Sequence, residues 1–300
     1  MVPVNFTHLR LFRDIAHERS ISKAAKANGI SQSAASQHLQ ELEKTFGIQL
    51  VDRSVRPLSL TEAGELYLRL CADLMTRKGD FDVAIERLKG RVGGSVRVAS
   101  IYSVGLSEMS RLEEEFSKRY PEADLRVSYL RPEKVYESVL LDRADIGLVS
   151  YPEATAEINV ISWRQERMVV VTAPSHPMAQ RVWLQPADLN GQEFVGFDED
   201  LPISRAVAEY LQKAGASVET VMRFDNIQMM KEAVAIGSGI AILPVRILRA
   251  ELEQGRLAAI RLDNPPLYRP LGIIHLRKKR FNPAAESFLA LLREEEPAAA

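Results

Sequence analysis

Two different spacings of apolar and polar positions divide the chain. In the N-terminal part apolar residues recur every three or four positions, the period of helices. Leu9, Phe12, Ile15 and Ala16 predict a first helix running to about Arg19, capped by Asn5 or Thr7. Ser22 is expected to cap a second helix, Lys23–Asn28, stopped at Asn28 and Gly29, two residue types that tolerate left-handed backbone. Ser31 is expected to cap a third, Gln32–Phe46, ended by Gly47, with Ala35, Leu39, Leu42 and Phe46 as its buried stripe. Two short β-prone runs, Ile48–Val51 and Leu58–Leu60, flank a loop carrying Arg53, Arg56 and Pro57, the pattern of a hairpin wing. From Glu62 to Lys89, Tyr67, Leu70, Leu74, Phe81, Ala84 and Leu88 form a heptad-like seam, interrupted at Arg77, on a helix roughly 40 Å long.

Beyond a hinge at Arg91–Ser95 the pattern alternates strand and helix. Strands are expected at Val96–Ser100, Leu125–Leu130, Ile146–Val149, Met168–Ala173, Phe194–Phe197, Ile240–Leu243 and Leu271–His275. Helices are expected at Leu106–Arg119, Pro132–Leu141, Ile203–Ala214, Asn226–Ile236 and Pro283–Leu292. Such alternation implies parallel sheets with covering helices. A break around Tyr151–Arg167 and the late strand suggest two lobes, with the chain crossing more than once. Glu294 and the residues after it read as a frayed tail.

Composition adds limits. The 300 residues suggest two or three domains, and 46% hydrophobic with 26% charged residues is ordinary for a globular protein. The net charge of −1 hides an asymmetry: residues 1–60 carry eight Lys/Arg against five Asp/Glu, the remainder 31 against 35. A modestly basic N-terminal unit suits a nucleic-acid contact. One cysteine, Cys71, excludes an intramolecular disulfide and any multi-cysteine metal site; it reads as a packing residue. The first residues lack the pattern of a signal peptide and no run approaches a membrane span, so a cytoplasmic location is the expectation, with no membrane partner.

The third helix carries the chemistry. Opposite its buried stripe lie Gln32, Ser33, Ser36, Gln37 and Gln40, short or amide side chains able to donate and accept. A recognition helix needs that face: its free amides favour phosphate and its side chains read base edges in the major groove. An ordinary helical hairpin with a solvated face is the plainer alternative. The wing arginines suit phosphate or the minor groove, or simply a charged turn. The long seam reads as a dimerisation helix, docking on its own domains being the alternative.

With these residues in view, the sequence resembles the LysR-type transcriptional regulators along nearly its whole length. The resemblance is carried by Leu9–Phe12, Ser20–Ala25, Ser31–Ser36, Leu39–Glu43, Phe46–Leu50, Arg53 and Leu60–Gly64, in the order L-x-x-F, S-x-x-x-A-A, S-Q-x-A-x-S, L-x-x-L-E, F-G-x-x-L, R and L-T-x-A-G. Looser matches are Val96–Ala99, Ala144–Leu148, Ala173–Pro177 and Gly237–Pro244. Departures are Ser33 where proline is common, Gln37 and His38 where basic residues are frequent, Val51 for phenylalanine and Asp142 for a turn glycine. The resemblance implies an α/β protein with an N-terminal winged helix-turn-helix (residues 1–60), a long linker helix (61–91) and a two-lobed, periplasmic-binding-protein-like effector domain (92–300). Lobe I would comprise about 92–162 and 268–300, and lobe II about 163–267. It further implies promoter DNA with an interrupted dyad site, a homodimer or homotetramer, a small-molecule effector and contact with RNA polymerase.

On this reading Ser22, Ser31, Gln32, Ser33, Ser36, Gln37, Arg53 and Arg56 are the DNA-binding candidates. In α/β folds ligands sit beyond strand ends. That rule, with the resemblance, nominates Ser100, Tyr102, Ser103, Arg131, Ser150, Tyr151, Phe197, Pro202, Ile203, Asn226 and Ile227 for the effector. Arg131 would pair a carboxylate; a surface arginine is the plainer reading, as simple helix capping is for Ser103. The expected ligand is a small carboxylate or other polar metabolite, with aromatics leaving room for an aromatic acid. An enzyme is not expected. The Gly237–Ile242 stretch lacks a third glycine and runs from helix to strand, the reverse of a dinucleotide loop, and there is no G-x-S-x-G, P-loop or H-E-x-x-H. The five histidines show no metal-ligand spacing, so neither a metal nor a cofactor is expected. A ligand binder whose helical part only oligomerises is the remaining alternative.

Overall fold

The structure, a computed structural model, describes residues 5–88, 91–105 and 109–294. The expected helix start at Leu106, the end of the long helix at Lys89 and the tail after Glu294 lie outside those residues. The chain divides into two compact units, residues 1–89 and 90–300.

The first unit opens with α1 (Phe6–Glu18), α2 (Ile21–Ala27) and α3 (Gln32–Phe46). Asn5 caps α1 by accepting from the Thr7 amide at 2.9 Å. The cap of α2 is Ser20, whose hydroxyl accepts from the Lys23 amide; Ser22 instead lies exposed in the first turn. Arg19 takes φ +46°, which turns the chain into α2 two residues before the expected cap at Ser22. Gly29 supplies the left-handed turn after α2, and the Asn28 side chain donates to the buried Asp14 carboxylate at 2.8 Å, tying α2 to α1. Ser31 and Gly47 bound α3 as its sequence requires. Its buried side is shorter than expected: Ala35 and Leu39 are buried, Leu42 is half-buried, and Phe46 is exposed at the helix end, edge-on to Tyr67.

The wing is a minimal hairpin, β1 (Val51–Asp52) with β2 (Ser59–Leu60); Ile48 stays out of it and exposed. Glu43 of α3 anchors its base, accepting from the Leu50 and Val51 amides at 2.9 and 3.2 Å and from Arg53 at 2.9 Å. Then α4 (Glu62–Leu88) begins at Thr61, whose hydroxyl donates to the Gln49 carbonyl and caps the Gly64 amide. Tyr67 and Cys71 face the unit's core, with Phe12 edge-on to Tyr67 at 4.9 Å. Burial pushes the Cys71 thiol up to about 11, as befits a packing residue. The seam is therefore shifted from the expected one. Of the expected seam Leu70, Phe81, Ala84 and Leu88 are exposed, Leu74 is half-buried and Tyr67 has turned inward, while Leu66 and Ile85 add large exposed apolar side chains.

The second unit contains β3 (Gly94–Ile101), α5 (Tyr102–Val104), α6 (Ser110–Arg119), β4 (Ala123–Leu130), α7 (Pro132–Leu140) and β5 (Ile146–Ser150). It continues with β6 (Ile158–Thr172), β7 (Trp183–Leu184), β8 (Glu193–Phe197), α8 (Pro202–Lys213), β9 (Glu219–Phe224) and α9 (Ile227–Ala235). It ends with β10 (Ala241–Pro244), α10 (Arg249–Glu253), β11 (Ala258–Leu262), β12 (Tyr268–Leu276) and α11 (Pro283–Glu294). The main sheet runs β4-β3-β5-β12-β6-β11-β7, with β10 also on β6; β8 and β9 pair separately. The main sheet is mixed, not parallel as expected, while β8 and β9 pair in parallel. β3 pairs β4 and β5 in parallel, but β12 is antiparallel to β5 and β6, and β10 and β11 are antiparallel to β6. The expected break at Tyr151–Arg167 is mostly strand: β6 runs unbroken through two hydrophobic cores. One core holds Val98, Ile146, Ile158, Trp163 and Phe288; the other holds Met168, Val170, Val195, Leu211 and Ile242.

Asp142 takes φ +50° in the turn where its residue type suggested left-handed backbone. Next to it Asp145, 7% exposed, accepts from Arg97 at 2.7 Å and pairs with Lys279 at 2.7 Å. Burial alone would raise its pKa; the Arg97 hydrogen bond and the Lys279 and Arg97 charges outweigh that and hold it at about 2. A carboxyl depressed in the folded state stabilises above its unfolded value and loses that contribution as pH falls through the folded one. Acid titration of the wild type should therefore remove on the order of 2 kcal/mol between about pH 4 and 2. Asp145→Asn should show that loss at neutral pH and lack this part of the acid limb. Identical pH–stability curves for the two proteins would refute the assignment.

Candidate nucleic-acid interface and ligand cleft

The exposed face of α3 is built by its cap. Ser31 Oγ accepts from the Ala34 amide at 3.2 Å and lies 2.9 Å from Ser33 Oγ. Gln32, Ser33 and Gln37 are exposed and Ser36 half-buried; Gln32 and Ser33 stand on the first turn, where helix amides lack intrahelical partners, and Ser36 and Gln37 on the next. Gln37 Nε2 donates to Glu41 at 3.1 Å, which orients the amide along the helix. His38 does not belong to this face. Its ring lies 4.2 Å from that of His8 on α1, and burial, then the His38 charge, lowers the His8 pKa. Arg53 is half occupied by Glu43, so part of its role is to fix the wing; Arg56 is exposed in the wing loop. Lys23 and Lys26, exposed on α2, were not singled out by spacing because isolated lysines carry no pattern.

The cleft of the second unit is lined by Ile101, Tyr102 and Ser103 after β3, and by Leu130, Arg131 and Pro132 after β4. Ser150 ends β5. Across from them stand Phe197, Leu201, Pro202 and Ile203 around the start of α8, and Asp225 and Ile227 at the start of α9. Eight of the eleven nominated residues thus line one cleft, because each ends or follows a strand or opens a helix, four beside the main sheet and four beside the β8–β9 pair. Three do not line it. Ser100 is fully buried and its hydroxyl donates to the Ile101 carbonyl. Asn226 spends its side chain capping α9, accepting from the Gln228 amide at 2.8 Å. Tyr151, at φ +50°, packs against the second core; burial pushes its phenol up to about 12.

The cleft also holds groups that the sequence did not reveal. Arg269 of β12 is 1% exposed and donates to Ser103 Oγ at 2.9 Å and to Glu166 at 3.1 Å. Ser103 therefore serves Arg269; the helix start it was expected to cap lies outside the described residues. Glu166 also accepts from Arg164 at 3.3 Å. A buried ionic cluster of this kind persists only with its partners in place, since removing one leaves a desolvated charge. No spacing signals it: Arg269 and Glu166 are far apart in sequence and meet because β12 and β6 are neighbours. Among the described residues no group of His, Cys, Asp and Glu could hold a metal, and no helix is long and apolar enough to cross a membrane.

Residues 6–65 match the family described as bacterial regulatory helix-turn-helix protein, lysR family, and residues 89–297 match the LysR substrate binding domain. A RuBisCO operon transcriptional regulator of Allochromatium vinosum is 26% identical over 97% of this chain and 96% of its own length. Among solved structures, a point variant of full-length OxyR from Pseudomonas aeruginosa covers 98% of this chain and 95% of its own with a TM-score of 0.72 at 18% identity. The regulatory domain of Synechocystis PCC6803 CcmR in complex with 2-PG covers 67% of this chain and 96% of its own, with a TM-score of 0.61 at 22% identity. At those identities the structures speak for the fold. Matched through both its helix-turn-helix and its two-core α/β unit, the chain belongs to the LysR family of bacterial transcriptional regulators.

Proposed function

We propose that this LysR-type regulator reads promoter DNA with the N-terminal half of α3, and that a small carboxylate or other polar metabolite in the cleft controls it. The observation that carries the DNA reading is the set of exposed Gln32, Ser33 and Gln37 with half-buried Ser36, on a helix whose other side is buried through Ala35 and Leu39. Gln32 and Gln37 are placed for base edges; Ser22, Ser31, Arg53 and Arg56 for the backbone. The cleft reading draws support from its mixed wall of apolar side chains and few polar groups. The 2-PG complex of the CcmR regulatory domain makes 2-PG a reasonable first ligand to try. RNA polymerase is the expected downstream partner.

Self-association is proposed through α4. Its exposed apolar residues mirror one another about the Arg77–Lys78 midpoint. Set antiparallel, Leu70 meets Ile85, the half-buried Leu74 meets Phe81, and Leu66 comes within one residue of Leu88. A two-fold pairing needs such self-complementarity. Dimers of this kind would then build the expected tetramer and present two α3 helices to a dyad site.

Footprinting and gel shifts on promoter DNA at several salt concentrations test the DNA reading. Gln32→Ala should lower discrimination against a changed base pair by about 1–3 kcal/mol while keeping the salt slope. Arg56→Ala should weaken binding to all sequences and flatten the salt slope by about one unit. Equal losses on specific and random DNA for both variants would reject that division of labour. Wild-type protein with no DNA affinity at low salt would reject the reading itself.

A further inference from the structure

One ion-pair cluster crosses the cleft. Arg131 stands between β4 and α7, on the side of the first core. Asp200 lies between β8 and α8, and Asp225 between β9 and α9, both on the side of the second core. Arg131 Nη2 donates to Asp200 at 2.6 Å and Nη1 to Asp225 at 2.9 Å. Its Nε donates to Glu133, on its own side, at 3.0 Å. All three guanidinium nitrogens are committed, two of them across the gap. Arg131 and Asp225 line the cleft together with Leu130, Phe197, Leu201 and Ile227, around a cavity volume of about 50 Å³.

We infer that Arg131 is an ionic latch that holds the two sides of the cleft together, and that a ligand enters only when the Asp200 and Asp225 pairs open. The consequence for regulation rests on the cleft being the ligand site; the latch itself does not. The strength suits a reversible device. The Arg131 side chain is 33% exposed, Asp200 67% and Asp225 47%, so each pair is screened by solvent. Two such pairs on one planar fork change a closed-to-open ratio by about tenfold, enough to bias the cleft without locking it. A carboxylate or phosphate on an incoming ligand matches the same fork. Once it takes Arg131, Asp200 and Asp225 face an anion with no cation between them, and the two walls repel. Binding of an anion is thereby coupled to opening.

The test uses the full chain without ligand or DNA. Spin labels are placed on the two sides of the cleft through Arg126→Cys and Gln212→Cys, both exposed positions, in a Cys71→Ala background. The labelled protein is diluted into unlabelled protein so that only distances within one chain are read. Arg131→Gln and the double variant Asp200→Asn/Asp225→Asn should each move the distance distribution to longer values. Raising the salt from about 0.05 to about 1 M should move the wild type the same way, since screening shortens the reach of exposed charges. Glu133→Gln, which removes only the contact on Arg131's own side, should leave it in place. A wild-type distribution in either cross-cleft variant overturns the latch. DNA binding of the same proteins is scored separately, so a failed latch is distinguishable from a failed regulator.

Discussion

Gly64→Ala is expected to destabilise the first unit by about 3 kcal/mol or more while leaving the second unit unchanged. A Cβ at this position would lie 2.0 Å from the Leu50 carbonyl oxygen and 3.3 Å from the Leu60 Cβ. The first obstacle is backbone, so no rotamer change relieves it. Leu50 is also committed from its other side, because its amide donates to Glu43 and its carbonyl accepts from the Thr61 amide at 3.1 Å. The wing base and the start of α4 are thus closed on each other with a hydrogen atom's clearance. In a unit of this size a loss of that order lowers the melting temperature by about 10–25 °C. Scanning calorimetry of the full chain should show one transition moving and another standing still. A variant that melts like the wild type would mean that α4 and Leu50 do not approach as closely as described.

Charges on the α4 stripe should have the second large effect. Leu70→Glu/Phe81→Glu puts an acid on each half of the mirrored seam, so in the antiparallel pairing four carboxylates enter one interface. Both positions are exposed in the single chain, 47% and 63%, so its own fold should tolerate the change. Analytical ultracentrifugation should find the variant dissociated at concentrations where the wild type is assembled. Affinity for a full dyad site should fall about 100-fold or more, since two linked contacts become independent, while a half-site is bound as before. A wild-type sedimentation coefficient in the double variant would remove α4 from the assembly.

What could be read from the sequence was whatever its neighbours in the chain decide. Ser31 and Gly47 specify α3 to the residue, because cap and stop are both local devices. Locality also explains the error at α2. Ser20 and Ser22 are equally good caps by type, and the left-handed Arg19 between the helices selects the first. Phe46 looked buried because period predicts a face and says nothing about where the partner surface ends. The first two thirds of β6, before the expected strand at Met168, were missed for the opposite reason. Its middle, Trp163–Arg167, is polar by composition, and two of its charges are buried only because Arg269 arrives from a distant strand. In the cleft, residues that follow strands could be nominated by topology. Neither Arg269 nor the partners of Arg131 could be, since those pairs depend on which strands become neighbours and on how the two cores face each other.

The place of β12 bears on how the chain is made. It stands between β5 and β6, and with α11 it completes the core that β3 began. A chain leaving the ribosome therefore exposes β3, β4 and β5 long before the strand that separates β5 from β6 has been synthesised. The strands of the other core, from the second half of β6 to β11, lie together in sequence and can assemble earlier. Of the second unit's two cores, the first to be translated is the last to close, and during that interval its sheet has an open edge at β5 that nothing yet covers.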